Sequence, residues 1–407
     1  MPQKIDSSQN IIHDRSWKIT FAIMFVAQLL SGVGFSFVLP FFPFYFRELG
    51  VVNIRENLLW MGWSSAVFGV TMAISAPMWG LVADRYGRKL MVIRSMLGGS
   101  VVLGLMGFAT APWHLLSLRI LQGMFTGTVS ASITLVTSVT PSANLGVSLG
   151  LLQTALMLGN SAGPFLGGII SDRYGFRIPC LVAFIALFSG MLLVLFGASE
   201  KFVPPRKIKG TGLSILKNII KTKGFKVILL TYFLIYVIAT MVIPILPLFI
   251  EQLSGTSAKA ASLTGIFVAA MGFIMGISSF IFGKLADKIG PEKILFFSLL
   301  AAGLLSLPQA FANNLIVLFI ERCLLGFAAG GALPSAHLLV SKTISKERVG
   351  GAYGLTSSVI CLGIGTGPLI GGYLASYMGL RAPFAVLGFL ALSIAFLVKK
   401  MIVTIDN

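Results

Sequence analysis

The chain has 407 residues, 56% of them hydrophobic and 11% charged, with a mean hydropathy of +0.92. A soluble protein carries roughly a quarter charged residues, so a water-soluble enzyme, a disordered chain and a fibrous chain are excluded, which leaves a polytopic membrane protein. The formal charge of +18 fits either nucleic-acid binding or basic cytoplasmic loops, and the positions of the charges decide between them.

A helix needs about 20 apolar residues, each rising about 1.5 Å, to cross a hydrocarbon core about 30 Å thick. The first such run, 19–46, contains Pro40 and Pro43 and no Asp or Glu. It is too long for a signal peptide and lacks a small-residue cleavage pattern, so it reads as a membrane helix. The second, 59–82, leads into a basic loop, and the third is 90–109. The fourth, 113–136, carries Arg119, the fifth, 146–170, carries regularly spaced glycines, and the sixth is 177–198. A basic segment with Pro204-Pro205 and Gly210 follows. Within it Leu213–Lys221 has the pattern of a short amphipathic helix resting on the inner leaflet. The remaining runs are 226–250, 261–282, 293–312, 315–338, 349–374 and 381–399.

With the N-terminus in the cytoplasm, 23 Lys and Arg fall on the inner side and six on the outer side, while Arg119 and Arg322 lie within spans. Both termini are therefore expected inside, and the basic excess is topological rather than a nucleic-acid signal. Cys180, Cys323 and Cys361 lie in apolar runs without metal or disulfide spacing and read as free thiols.

Shifting the first half by 203 or 204 residues reproduces its punctuation. Pro40 and Pro43 map to Pro244 and Pro247, and Gly80, Ala83, Asp84 and Gly87 to Gly283, Ala286, Asp287 and Gly290. Arg119 and Gly123 map to Arg322 and Gly326, and Gly159, Gly163-Pro164 and Gly167-Gly168 to Gly363, Gly367-Pro368 and Gly371-Gly372. Six spans per half make this a parallel repeat, one of the transporter plans. The expected fold is all-α: twelve transmembrane helices in two six-helix bundles, 1–199 and 226–407, joined by a basic cytoplasmic linker, 200–225.

The loop after the second span reads Gly80-Leu-Val-Ala-Asp84-Arg85-Tyr-Gly87-Arg88-Lys89. Its glycines permit a tight turn, its basic residues suit lipid head groups, and its carboxylate is placed to meet the N-terminus of another helix. A plain positive-inside loop is the simpler alternative. Gly159, Gly163 and Gly167 recur every four residues, a stripe that lets a partner helix approach closely, and Pro164 bends the helix.

Gly80–Lys89 resembles motif A of the major facilitator superfamily, Arg119-Ile-Leu-Gln122-Gly123 its motif B, and Gly159–Gly168 the motif C of twelve-helix drug:proton antiporters. The pattern is similar to the MdtG-type multidrug exporters of bacteria across nearly the whole chain. The resemblance implies a latch in which Asp84, supported by Gly80, Arg85, Gly87 and Arg88, meets the eleventh helix in the outward-facing state. It also implies a proton-linked buried Arg119 and a hinge at Gly163 and Pro164, flanked by Gly159 and Gly167. Relatives with an acidic residue in the first helix differ from this chain, which has none there.

A charge within a span is costly and marks a functional candidate. Glu321, the deepest carboxylate, is read as a proton carrier or as an ion-pair partner of Arg322 or Arg119. By resemblance the central helices place Gln28, Phe35, Gln122, Met124, Tyr232, Tyr236 and Phe327 as candidate cavity residues, although each equally suits core packing. No P-loop, metal set or catalytic triad is evident. The expectation is a non-enzymatic, proton-driven exporter of amphipathic small molecules with no cofactor and no metal. It would be a monomer among membrane lipids of the bacterial inner membrane. Two alternatives are a dedicated carrier of a siderophore, sugar or lipid-linked compound, and a non-transporting receptor, against which the short termini argue.

Overall fold

The computed structural model describes residues 7–141, 144–200, 202, 225–343 and 349–406. Among them twelve helices are long and apolar enough to cross a membrane: α1 (Trp17–Glu48), α2 (Ile54–Gly80), α3 (Arg88–Met106), α4 (Pro112–Val139), α5 (Leu145–Tyr174), α6 (Arg177–Gly197), α7 (Phe225–Ser254), α8 (Ala260–Ile289), α9 (Pro291–Gln309), α10 (Leu315–Val340), α11 (Gly354–Met378) and α12 (Ala382–Lys399). No strand occurs among the described residues. Most of the basic linker, the amphipathic segment within it, and the Asp84 side chain lie outside the described residues.

Four of these spans are interrupted. α1 leaves α-geometry after Ser36, passes through a 3-10 turn at Leu39–Phe41 and resumes at Phe42. α7 breaks after Met241 and resumes at Leu246. Each break contains the first proline of its pair, Pro40 or Pro244, which lacks an N–H and excludes the carbonyl four residues earlier, while Pro43 and Pro247 sit in the first turn of the resumed helices. α4 breaks between Phe125 and Thr128, where Gly127 takes φ +129°, a conformation a side chain resists. α10 breaks between Ala329 and Ala332, at Gly330-Gly331. The breaks occupy equivalent positions in the two halves.

Burial is partitioned. One apolar core runs from Met24 to Ala198, built on α1, α3, α4 and α6. The other is drawn mainly from residues 225–398 and takes in Phe41, Phe44 and Leu58 of the first half. Between the halves, α2 packs on α11 and α5 on α8 through glycine. At the end away from the termini, a Cβ on Gly372 would lie 2.5 Å from the Leu58 carbonyl oxygen, and near the middle of α2 one on Gly69 would lie 2.5 Å from Gly365 Cα. Along α5–α8 the same construction gives 2.5 Å from Gly168 to the Ala261 carbonyl, 3.0 Å from Gly272 to Ser161 Oγ, and 3.9 Å from Gly276 to Met157 Sδ. Beyond that, Gly80, Gly146, Gly150 and Gly354 meet nothing within 4 Å among the described residues. Among the described residues the interface is a wedge, shut at the far end and open at the end carrying the termini.

Candidate functional site

The glycine stripe of α5 docks backbone to backbone on α1 just before its break. A Cβ on Gly159 would fall 2.5 Å from the Leu29 carbonyl oxygen, one on Gly163 would meet Ser36 Oγ, and one on Gly167 the Phe37 carbonyl. In the second half Gly363, Gly367 and Gly371 repeat this against Phe233, Val237, Thr240 and Met241 of α7. Ser36 Oγ donates to the Gly32 carbonyl at 2.6 Å, and Thr240 Oγ1 donates to that of Tyr236 at 2.7 Å, each at the last turn before the break. Each glycine stripe therefore holds a central helix at the point where its helical ladder ends. Gly168 and Gly372, one residue beyond the stripes, face the opposite half. Corresponding interrupted helices in two repeats are where transporters of this plan place their substrate sites.

The break in α4 carries its own support. Arg94 of α3 donates to the Thr126 carbonyl at 3.3 Å, and its guanidinium lies 3.7 Å from the Trp79 ring centroid. The Trp79 indole N–H in turn donates to the Met124 carbonyl at 2.6 Å. Arg94 and Trp79 thus satisfy carbonyls that an unbroken helix would have bonded internally. Met124, one of the expected cavity residues, is about half exposed.

Arg119 is 3% exposed. Its Nη1 donates to Gln122 Oε1 at 2.6 Å and its Nε to the Ser64 carbonyl at 3.4 Å. The guanidinium stacks 4.0 Å from the Phe68 ring centroid and 5.7 Å from that of Phe42. Among the described residues no carboxylate pairs with it. This buried cation is held by a side-chain amide, a carbonyl and two aromatic faces, which leaves its charge uncompensated among the described residues. The structure thus brings Arg119 and Gln122 together.

Glu321 stands apart from them. It lines a groove of about 600 Å³ with Leu304, Leu307 and Pro308 of α9 and with Val317 of α10. Its Oε2 has no hydrogen-bond partner, nor has Arg322 Nε, and the two neighbours form no ion pair. Of the remaining cavity candidates, Gln28 is buried with Oε1 unsatisfied. Phe35 turns toward Gly99 of α3. Tyr232 is fully buried, with its hydroxyl 2.8 Å from His337 Nδ1 in α10. Tyr236 packs on Gly363 of α11, and the Phe327 ring lies 5.4 Å from that of Phe282 in α8.

At the loop that follows α2, Gly87 takes φ +96° and Gly290, its repeat, φ +100°. Glu200, from beyond α6, accepts from the backbone N–H groups of Arg88 at 3.0 Å and Lys89 at 2.8 Å. It thereby caps the first turn of α3 and fixes the loop, because a carboxylate there meets the positive end of the helix.

The far end is fastened by charges that no sequence motif singles out. Arg47, in the short helix after the α1 break, makes a two-pronged bond to Glu251 in the short helix after the α7 break, at 2.7 and 2.8 Å. Asp172 at the end of α5 accepts from the backbone N–H of Ser262 at 2.7 Å, from that of Ala261 at 3.3 Å, and from the Ser262 hydroxyl. It caps the N-terminus of α8 across the two halves. Asp84 was expected to act on α11 at the other end by the same chemistry. The partners here are 204 and about 90 residues apart in the chain, so no local pattern announces them.

Comparison with known proteins places this architecture. The family model described as Major Facilitator Superfamily matches residues 24–275 and 228–404. The chain is 35% identical over 372 residues to "Multidrug resistance protein MdtG" of Proteus mirabilis, covering 91% of this chain and 92% of that protein. It is 34% identical over 375 residues to the protein of the same name from Escherichia coli, covering 91% of each. Among solved structures, nucleoside transporter NupG superposes with a TM-score of 0.75 at 14% identity, covering 95% of this chain and 98% of that one. The human organic anion transporter MFSD10 superposes with a TM-score of 0.70 at 19% identity, covering 94% and 99%.

Proposed function

Because this chain belongs to the Major Facilitator Superfamily, we propose that it is a proton-coupled exporter of amphipathic drugs or similar small molecules, working by alternating access. The observation that carries the reading is the wedge between the halves, shut at one end and open at the other. A two-gated path of this kind needs only a rocking of the bundles to change the side from which it is reached. Chemistry on a bound molecule has no part in such a cycle.

With both termini in the cytoplasm, as the distribution of Lys and Arg supports, the open end faces inward and the far end faces the outside of a bacterial inner membrane. The present state is then inward-facing, ready to take substrate from the cytoplasm or inner leaflet. In the opposite state the far-end contacts of Asp172 and Arg47 part, and Asp84 caps the inner end of α11 while Gly80 closes on it. The substrate class rests on the name carried by the relatives. Arg119, held by Gln122 at the level of the interrupted helices, is proposed to be linked to proton coupling as a fixed charge that responds to the proton rather than as its carrier. The proton gradient is the energy source, and the transporter acts as a monomer.

The test uses inverted membrane vesicles containing the wild type or Arg119→Gln. Ethidium uptake that follows an imposed proton gradient, collapses with an uncoupler and is lost in the variant supports the reading. Absence of transport for a panel of cationic and neutral dyes by well-folded wild type refutes it and favours a dedicated metabolite carrier.

A further inference from the structure

The groove that holds Glu321 has no part in the transport cycle described above. Its walls come from α9 (Leu304, Leu307, Pro308), α10 (Val317, Glu321) and the turn between them, with no residue from the first half. Leu304 and Phe311 are 55% and 75% exposed, as are the neighbouring Ile320 and Leu324 of α10 at about one half, so the groove opens on the lipid-facing periphery. Its volume of about 600 Å³ lies within the range of small-molecule sites.

Among these apolar walls sits one carboxylate with a buried oxygen and no partner. Arg322, next in sequence, does not reach it, because consecutive helical residues diverge by about 100°. The polar groups at the rim are already engaged in part: Asn314 Oδ1 accepts from Val317 N at 2.8 Å, and Asn313 Oδ1 accepts from Arg381 at 3.1 Å. An unpaired carboxylate at this depth is retained at a cost that a cation would offset. Seven residues separate Glu321 from the helix cap at Asn314, about 10 Å along the axis. The ammonium of a phospholipid sits at the outermost level of its head group and does not reach that depth. A single-chain amine, with no glycerophosphate to hold it at the surface, does.

We propose that the α9–α10 groove is a binding site for cationic amphiphiles, single-chain alkylamines in particular, with the ammonium on Glu321 and the chain along Leu304, Leu307 and Val317. The site lies outside the central path and is reached from the leaflet at the far end. It stands on the membrane placement of the helices and is independent of which substrates are exported.

The experiment measures equilibrium binding of radiolabelled dodecylamine to the full-length protein in phosphatidylcholine nanodiscs, with a diazirine-bearing dodecylamine to locate the site by mass spectrometry. Wild type should bind saturably and be labelled in the peptide spanning residues 304–321. Glu321→Gln should bind at least about ten-fold more weakly, as expected for loss of a charge-assisted bond in an apolar setting. Leu307→Trp, which keeps the carboxylate and fills the groove, should also lose binding, and dodecanol should not compete. Unchanged binding in both variants, or labelling spread over other spans, overturns the proposal. So does displacement of the amine when phosphatidylethanolamine replaces phosphatidylcholine, since that outcome makes the site one for a lipid head group. Because nothing is transported in this assay, a negative result does not bear on export, nor does failed export bear on it.

Discussion

A single methyl group on Gly265 tests whether the far-end closure is as tight as the wedge implies. The nearest atoms to such a methyl are the Pro164 carbonyl oxygen, the Pro164 carbonyl carbon at 3.0 Å and Phe165 Cα at 3.1 Å, all backbone. No side chain can rotate away, so α5 and α8 have to part by roughly an ångström to restore ordinary contact. Overpacking of this kind costs about 1–3 kcal/mol, which is roughly a 5- to 150-fold shift against the far-end-closed state. The assay is pulsed electron paramagnetic resonance between spin labels at Val52 and Ala258, two exposed far-end positions in opposite halves, with Cys180, Cys323 and Cys361 replaced. Gly265→Ala should increase the longer-distance population. Gly276→Ala, on the same interface where the nearest foreign atom is Met157 Sδ at 3.9 Å, should leave it unchanged. Superimposable distributions for Gly265→Ala and the parent, with both proteins folded, would refute the reasoning.

Arg119→Met should abolish gradient-driven transport while leaving thermal stability in detergent equal or higher, by up to about 4 kcal/mol, because replacing a buried ion without a counter-charge by an apolar chain removes a desolvation penalty. A marked fall in the unfolding temperature would instead make Arg119 a structural residue. Glu200→Gln weakens the cap on α3 and should lower stability by about 1 kcal/mol, read as the unfolding midpoint; an unchanged midpoint would show that the bonds to Arg88 and Lys89 contribute nothing net.

The spans were legible because hydrocarbon thickness sets their length. The breaks were not: Pro40 and Pro244 mark two of them, yet Pro77, Pro164, Pro308 and Pro368 lie inside continuous helices, and at Gly127 and Gly330-Gly331 a glycine in an apolar run reads equally well as a packing position. For Glu321, sequence supplied depth along α10 but not the angle around it, and the angle turns the carboxylate toward α9 rather than toward Arg119. Phe35 illustrates the same gap: the resemblance places it on a central helix, while the packing of α1 directs its ring to Gly99 of α3. Nothing local in the sequence marks Asp172, Glu251 and Glu200, because their partners come from distant parts of the chain. Charge at a span end signals solvation and cross-helix capping alike, and only the approach of a second helix separates the two.

The glycine-lined contact between the halves also bears on speed. Interlocked side chains would have to change rotamer before two helices could separate, and each such step adds friction to the motion. Here the facing surfaces at Gly69, Gly168, Gly265 and Gly372 are largely backbone against backbone, so they can slide and part with almost no repacking. The barrier to opening is then concentrated in a few polar bonds, those of Asp172 and of Arg47 with Glu251. A transporter built this way can tune its turnover by changing one or two surface charges, without touching the helices that carry its cargo.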